Sequence, residues 1–409
     1  MLVALGTLQI ILKLVERCNL ACDYCYFFFR GDTSWQHNPP TIAADTIDAL
    51  IQSIRELATS RPVSAVEIIF HGGEPLMIRK SSLSDVCARL RSEIEPVVPL
   101  NFLLQTNATL IDDEWIEVFS RWKISVHVSL DGTPEYNDQH RIDAHGRGSS
   151  TQVEVGIAHL MRAAAAGAIA RPSVLAVVNP AYDYHRIYAY FRELGFDTMS
   201  FLIPDEHHDS GVTEEFSAGI GTALCAIFDA YAAEDNPSRV SVRQISEALQ
   251  PFQRMKATQN RGAPRTAPPA YMQVAVSSAG RLSISDEFTH TLWRRMLPKP
   301  HLSQTTLWDF LNSAPVQMLE SARNEIPATC HDCRFAACCR GGALPNRYSE
   351  QTFFHKRSVY CTGLYHFYEH VVAYLLTHGY PANLLRAQLE LHTQMPPQTY
   401  NTGSTHPVP

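Results

Sequence analysis

Charge of either sign is scarce in this chain. Only 18% of its 409 residues are Asp, Glu, Lys or Arg, and 34 basic against 41 acidic residues leave a formal net charge of −7. That balance excludes a broad basic surface for nucleic acid or anionic lipid. Also missing is any apolar run near the roughly 18 residues of a membrane span. The apolar start, Met1 to Leu12, has neither a basic leader region nor a small-residue cleavage site. The expectation is a cytoplasmic protein with a small-molecule or peptide partner, using neither nucleic acid nor membrane. Cysteine is sparse in the long middle of the chain, where only Cys87 and Cys225 occur, and is gathered near the ends: Cys18, Cys22 and Cys25, then five between 330 and 361. In a reducing compartment such groups read as metal or iron–sulfur ligands, because disulfides do not persist there. What the chain has in plenty is hydrophobic residues, 45%, enough to bury a large core, so disordered, collagen-like and small disulfide-stapled classes drop out.

Apolar periodicity alternates between two and 3.6 along the first 200 residues. Strands are expected at Gln9 to Val15, Val66 to Phe70, Asn101 to Thr106, Ser125 to Leu130, Ser173 to Val178 and Met199 to Ile203. Helices are expected at Ile42 to Leu57, Leu83 to Leu90, Asp113 to Arg121, Val153 to Ala166 and Tyr184 to Leu194. Six β-then-α units imply parallel strands with right-handed crossovers, hence an α/β partial (β/α)6 barrel over 1–210. A helical linker region follows over 211–270, with helices at Glu214 to Ala233 and near Val242 to Leu249, then a Pro-, Arg- and Gly-rich stretch from Gln259. Tyr271 to Ile284 carries a hairpin signal around Ser-Ala-Gly and opens a cysteine-bearing region, 271–378, with a terminal helix near His370 to Leu376. Residues 379–409 read as a flexible tail.

Cys18, Cys22 and Cys25 have the spacing C-x3-C-x2-C directly after the first strand. Three thiolates hold three irons of a cubane and leave the fourth open to an exogenous ligand; buried loop thiols or a zinc knuckle are the alternatives. Cys330, Cys333, Cys339 and Cys361 supply four thiolates, which close a cluster, with a structural zinc site as the alternative. Cys338 reads as a bystander, and Cys87 and Cys225 as core residues.

The trio, with the aromatic Tyr24 before its third cysteine, resembles the radical SAM superfamily, in which the open iron chelates S-adenosylmethionine. Other segments share that resemblance. His71-Gly72-Gly73-Glu74-Pro75 looks like the family's GGEP motif. Gln105-Thr-Asn107, and Ser129-Leu-Asp131 with Arg141, look like its ribose- and carboxylate-binding positions. The resemblance thus implies SAM contacts at Tyr24, Gly72, Gly73, Glu74, Gln105, Asn107, Ser129, Asp131 and Arg141, all at strand ends on the functional face of such a barrel. The second cysteine set, with Arg340-Gly-Gly342, Arg347-Tyr-Ser349 and Ser358-Val-Tyr-Cys361, resembles the SPASM extension of peptide-modifying members. Members with two auxiliary clusters carry cysteines where this chain has Ser285 and Ala343, so the resemblance implies two 4Fe-4S clusters, one SAM-binding and one auxiliary. Asp286 matches the carboxylate that accepts a proton in sulfatase-maturing members and is the candidate catalytic base.

Gln9 to Cys18, Gly31-Asp32 and the C-terminal motifs look most like the Xye-, Grr- and Fxs-type maturases. The resemblance implies hydrogen abstraction from a side-chain β-carbon of a ribosomal precursor peptide and its joining to an aromatic ring as a cyclophane, with an electron donor such as flavodoxin or ferredoxin. A sulfatase-maturing or thioether-forming enzyme is the alternative. A non-catalytic iron–sulfur or zinc scaffold is the remote one, and it has no need of the strand-end motifs. No separate leader-binding domain is expected, which leaves the hairpin or the helices from 214 to 250 to hold a precursor.

Overall fold

A computed structural model describes residues 5–61, 63–261 and 272–390. Six strands, β1 (Leu5–Val15), β2 (Val63–Gly72), β3 (Leu100–Thr106), β4 (Ile124–Ser129), β5 (Ser173–Val177) and β6 (Thr198–Leu202), run parallel in sequence order. The joining helices are α1 (Ala44–Ser60), α2 (Lys80–Ile94), α3 (Asp113–Trp122), α4 (Ser150–Ala165) and α5 (Tyr184–Glu193). Alternation along β1 explains the layering. Leu8, Ile10, Leu12 and Leu14 are fully buried in the main core, while the other face carries Gln9, Ile11 and Lys13. Local chemistry marks the helix ends: Asp112 accepts from the Trp115 N–H at 2.9 Å, and Lys123 closes α3 in the left-handed conformation. The expected α/β partial barrel is the fold observed.

Two features depart from the expected organisation. First, β8 (Met272–Val276) lies beside β1 in parallel, Leu8 opposite Met272 through Leu12 opposite Val276, and pairs antiparallel with β9 (Leu282–Ser283). The hairpin expected to open the C-terminal region therefore extends the barrel sheet. The two-residue β7 (Ser241–Val242) extends the other edge beside β6. Second, the expected flexible tail begins with a packed helix. After α6 (Glu214–Ala232), α7 (Arg243–Arg261) and α8 (Cys361–Thr377) comes α9 (Ala382–Glu390), which buries Leu384, Leu385 and Gln388. Three inward residues within five are enough to seat two helical turns. Residues 262–271, which include the first residue of the expected hairpin, and residues 391–409 lie outside the described residues.

Candidate active site at the carboxyl ends of the strands

The Cys18–Cys25 loop leaves β1 and is pinned from two sides. The Ala21 N–H donates to the Ile142 carbonyl at 2.7 Å, and the N–H groups of Gly73 and Glu74 donate to Val15 and Arg17 carbonyls at 2.8 and 2.9 Å. A side chain at Gly72 would collide with the Val15 carbonyl, and one at Gly73 with that of Arg17. The close backbone approach that these glycines permit is thus, in the first place, to the cysteine loop itself. The Leu20 N–H faces Cys18 Sγ at 3.4 Å, and Asn107 donates to Asn19 Oδ1 at 3.0 Å beside that sulfur. Burial pushes the Cys18 thiol up to about 12 and the Cys22 thiol to about 11, with the neighbouring trio members adding to it. Such thiols ionise only with a cation between them, which suits a cluster that binds as they lose protons.

Glu74 sits at the end of β2, 1% exposed, and accepts from Leu76 N–H, Thr106 Oγ1 and Asn107 N–H at 2.8–2.9 Å. Even so, burial pushes its carboxyl up to about 7, since no cation lies beside it among the described residues. That is the environment an ammonium group would complete. Asp131 gathers the other predicted contacts: it accepts from Tyr24 Oη, from Arg141 Nε at 2.9 Å and from the Val177 N–H at 2.9 Å. Arg141 lies 5.6 Å over the Tyr24 ring. Tyr24, Asp131 and Arg141 are therefore one network, with Asp131 turned toward its own chain as an organiser. Gln105 faces the buried His71, and Ser129 is buried at the end of β4.

The second cysteine set is assembled from short turns and the start of α8. Cys330, Cys333, Cys339 and Cys361 border a cavity of about 550 Å3 together with Arg357, Tyr365 and Tyr368. The chain reverses through Arg340, Gly341 and Gly342, all at positive φ, so that Ser358 and Cys361 return to the cysteine turn. Burial pushes the Cys339 thiol up to about 12. Cys338 does not border the cavity; its sulfur accepts from Gln388 of α9 at 3.7 Å. Among the described residues no three His, Cys, Asp or Glu side chains converge on a single metal ion, whereas thiolates bound to separate irons of a cubane stand wider apart.

Asp286 is neither a surface turn residue nor free. It is 5% exposed, paired with Lys13 Nζ and with Arg294 Nη2 at 3.3 Å; Arg294 continues to Asp32 at 3.1 Å and Lys299 to Asp32 at 3.0 Å. Burial pushes the Asp286 carboxyl upward, but Lys13, Arg294 and His71 together hold it below the usual carboxylate range. This chain of ions borders a cavity of about 40 Å3, room for water alone. Sequence reasoning missed Lys13 and Arg294; the one local signal was a lysine inside an otherwise apolar strand.

Residues 12–166 match the Radical SAM superfamily. A serine-type anaerobic sulfatase-maturating enzyme of Bacteroides thetaiotaomicron is 25% identical over 90% of this chain and 92% of that protein. A cysteine-type enzyme of Clostridium perfringens is 23% identical over 88% and 94%. Native anSMEcpe with bound AdoMet superposes with a TM-score of 0.73 at 21% identity, covering 91% of this chain and 98% of that one. Streptococcus suis SuiB bound to its precursor peptide SuiA gives 0.52 at 14%, covering 87% and 76%. Residues 12–166 therefore form a radical SAM domain, within a fold shared with anSMEcpe and with a C-terminal extension consistent with SPASM. S-adenosylmethionine and 4Fe-4S clusters are the cofactors of this radical SAM domain. No described helix is long and apolar enough to cross a membrane.

Proposed function

We propose that this enzyme abstracts hydrogen from a side-chain β-carbon of a precursor peptide and joins that carbon to a nearby aromatic ring, using one auxiliary cluster. When bound, the SAM-binding cluster and S-adenosylmethionine supply the radical that removes the hydrogen. Cys18, Cys22 and Cys25 would hold that cluster; Glu74 would receive the amino group of S-adenosylmethionine, and Arg141, oriented by Asp131, its carboxylate. Tyr24, Gln105, Asn107 and Ser129 line the same strand ends, and Cys330, Cys333, Cys339 and Cys361 would hold the auxiliary cluster. An external reductant such as flavodoxin or ferredoxin completes the system.

The observation that carries the crosslinking reading is the lack of two thiols that a first auxiliary cluster would use. Where two-cluster members carry thiolates, this chain has Ser285 and Ala343. The space beside Asp286 is a water-sized cavity walled by Lys13, Arg294 and Asp32. A second reading, maturation of a sulfatase, is favoured by the relatives, which match along nearly the whole chain and bear that name. From a serine the aldehyde, like the crosslink, differs from the starting peptide by two hydrogens, so mass alone does not separate them; from a cysteine the aldehyde also exchanges sulfur for oxygen. The enzyme is to be co-produced with a precursor peptide encoded beside it and, separately, with a sulfatase-derived peptide. A two-hydrogen loss in the precursor that resists fragmentation between the joined residues and does not react with a hydrazide supports crosslinking. A hydrazide-reactive aldehyde in the sulfatase peptide, with the precursor unchanged, establishes the second reading instead.

A further inference from the structure

Either product leaves one electron to be disposed of. Once the first hydrogen is gone, joining the carbon radical to a ring releases a proton and an electron, and so does oxidising a serine or cysteine radical toward an aldehyde. A cluster whose four irons are all held by thiolates has no place for a ligand and exchanges only electrons. Of the four thiols that would hold it, Cys330 is buried, whereas Cys333, Cys339 and Cys361 are half-buried. They border a cavity of about 550 Å3 that carries the exposed Asp332, Arg334 and Arg357 at its rim. One edge of the cluster would therefore lie within reach of the surface.

The surface around that rim departs from the rest of the chain in charge. Lys356 stands half-buried beside Arg357, and none of Arg334, Lys356 and Arg357 is in an ion pair among the described residues. The Arg357 guanidinium hydrogen-bonds Cys361. Arg340 adds a fourth cation, donating to the neutral Asn324 carbonyl at 2.7 Å. Between Cys330 and Cys361 the sequence has two carboxylates, Asp332 and Glu350; Glu214 of α6, which also acts on Cys361, is engaged with Thr362. A chain of net charge −7 thus gathers basic residues where its closed cluster would come nearest the surface. The segment is held in place, since His208 Nε2 donates to the Arg357 carbonyl at 2.9 Å and the Ser358 N–H to that of Gly341 at 2.8 Å.

We infer that this face is the docking surface for an acidic one-electron carrier protein of the flavodoxin or ferredoxin class, which takes up there the electron left by each product. The inference rests on the reading that Cys330, Cys333, Cys339 and Cys361 hold an auxiliary cluster, and it applies to crosslinking and to aldehyde formation alike. No bond forms or breaks in the transfer: the reduced cluster returns to its oxidised state and the oxidised carrier gains the electron, while the proton of the same step passes to water. A carrier fits this face better than the precursor peptide does, because a closed cluster offers a peptide nothing to bind. Unneutralised cations around the rim speed encounter with an acidic partner. A guanidinium on a cluster sulfur also favours the more negative, reduced cluster that the carrier has to meet.

The test uses the full chain with Cys18, Cys22 and Cys25 replaced by Ala, so that only the auxiliary cluster is loaded. That protein is reduced and mixed with oxidised flavodoxin, whose reduction is followed by stopped-flow absorbance. The second-order rate constant should fall as salt rises from about 50 to about 500 mM. Adding Arg334→Glu and Lys356→Glu should lower it by roughly 10-fold or more at low salt and flatten the salt dependence. A neutral quinone should oxidise both proteins at the same rate, a comparison that a damaged cluster would fail. Zero-length carbodiimide coupling should join flavodoxin carboxylates to Lys356, the one lysine between Cys330 and Cys361. A rate constant indifferent to salt and to the charge reversals, or coupling that leaves Lys356 free, overturns the inference. So does a precursor peptide that couples to Lys356 and displaces flavodoxin, which would make the face a peptide site. If the protein with the three alanines holds no iron, the auxiliary-cluster reading fails and the inference falls with it; about four irons with a salt-independent rate overturn the inference alone.

Discussion

The two cysteine sites stand on opposite kinds of support. Cys18, Cys22 and Cys25 hang from β1 and are braced by the ends of neighbouring strands, through Gly72, Gly73, Asn107 and Ile142. Cys330, Cys333, Cys339 and Cys361 come from short turns and one helix start around a cavity of about 550 Å3. The barrel core holds the first site in place whether or not metal is bound. The second is framed by loops instead, with Arg347 donating to the Phe354 and Ala322 carbonyls and Val359 to that of Asn346, and metal binding there adds further ties between the turns. An open site needs an external frame because one iron must stay available. A closed site is able to serve as its own frame.

The largest effects come from breaking this contrast outright. Replacing Cys18, Cys22 and Cys25 together by Ala should abolish 5′-deoxyadenosine formation with a strong reductant and leave the barrel folded by circular dichroism. Replacing Cys330 and Cys333 by Ala should lower the iron content from about eight per chain to about four. It should also expose the 328–361 segment to limited proteolysis before the barrel. Twelve irons in the wild-type enzyme would show a further cluster beyond the two that these cysteines hold.

Next in size is Asp286→Asn. It leaves Lys13 and Arg294 buried against a neutral amide, a loss on the order of 3–5 kcal/mol for a broken buried pair. A fall in the denaturant midpoint at unchanged slope measures it. Smaller still is the pH dependence set by Glu74 in protein free of S-adenosylmethionine. Its native value of about 7 lies above the ordinary 4.5, so the protonated form is favoured on folding. Stability present below about 4.5 is lost as pH rises through about 7, by up to roughly 3 kcal/mol, and Glu74→Gln should flatten that slope. The smallest expected effect is that of Cys338→Ser, which touches only the Gln388 contact. Iron content should be unaltered and stability should change by less than about 1 kcal/mol; a loss of four irons would make Cys338 a ligand.

Legibility in the sequence followed the range of the interactions. The strands of the barrel could be read because each has an apolar period of its own, and both cysteine sets could be read because their spacing is local. The β8 strand was visible as an alternating run, but its place beside β1 was not, since nothing in Met272–Val276 names a partner more than 250 residues away. Likewise α9 is two turns long, too short for its period to stand out from the polar residues around it.

What the sequence determined by itself is the chemistry that short spacing can encode: strands that end in glycine and polar residues, a trio of thiols in one short loop, and four more thiols around a glycine reversal. The tertiary structure alone decided which charges meet. Lys13 and Asp286 lie 273 residues apart, and no periodicity links them. Their pairing follows from which loops the sheet brings together at the carboxyl ends of its strands. There a carboxylate's affinity for a proton is set by neighbours that its own segment does not contain.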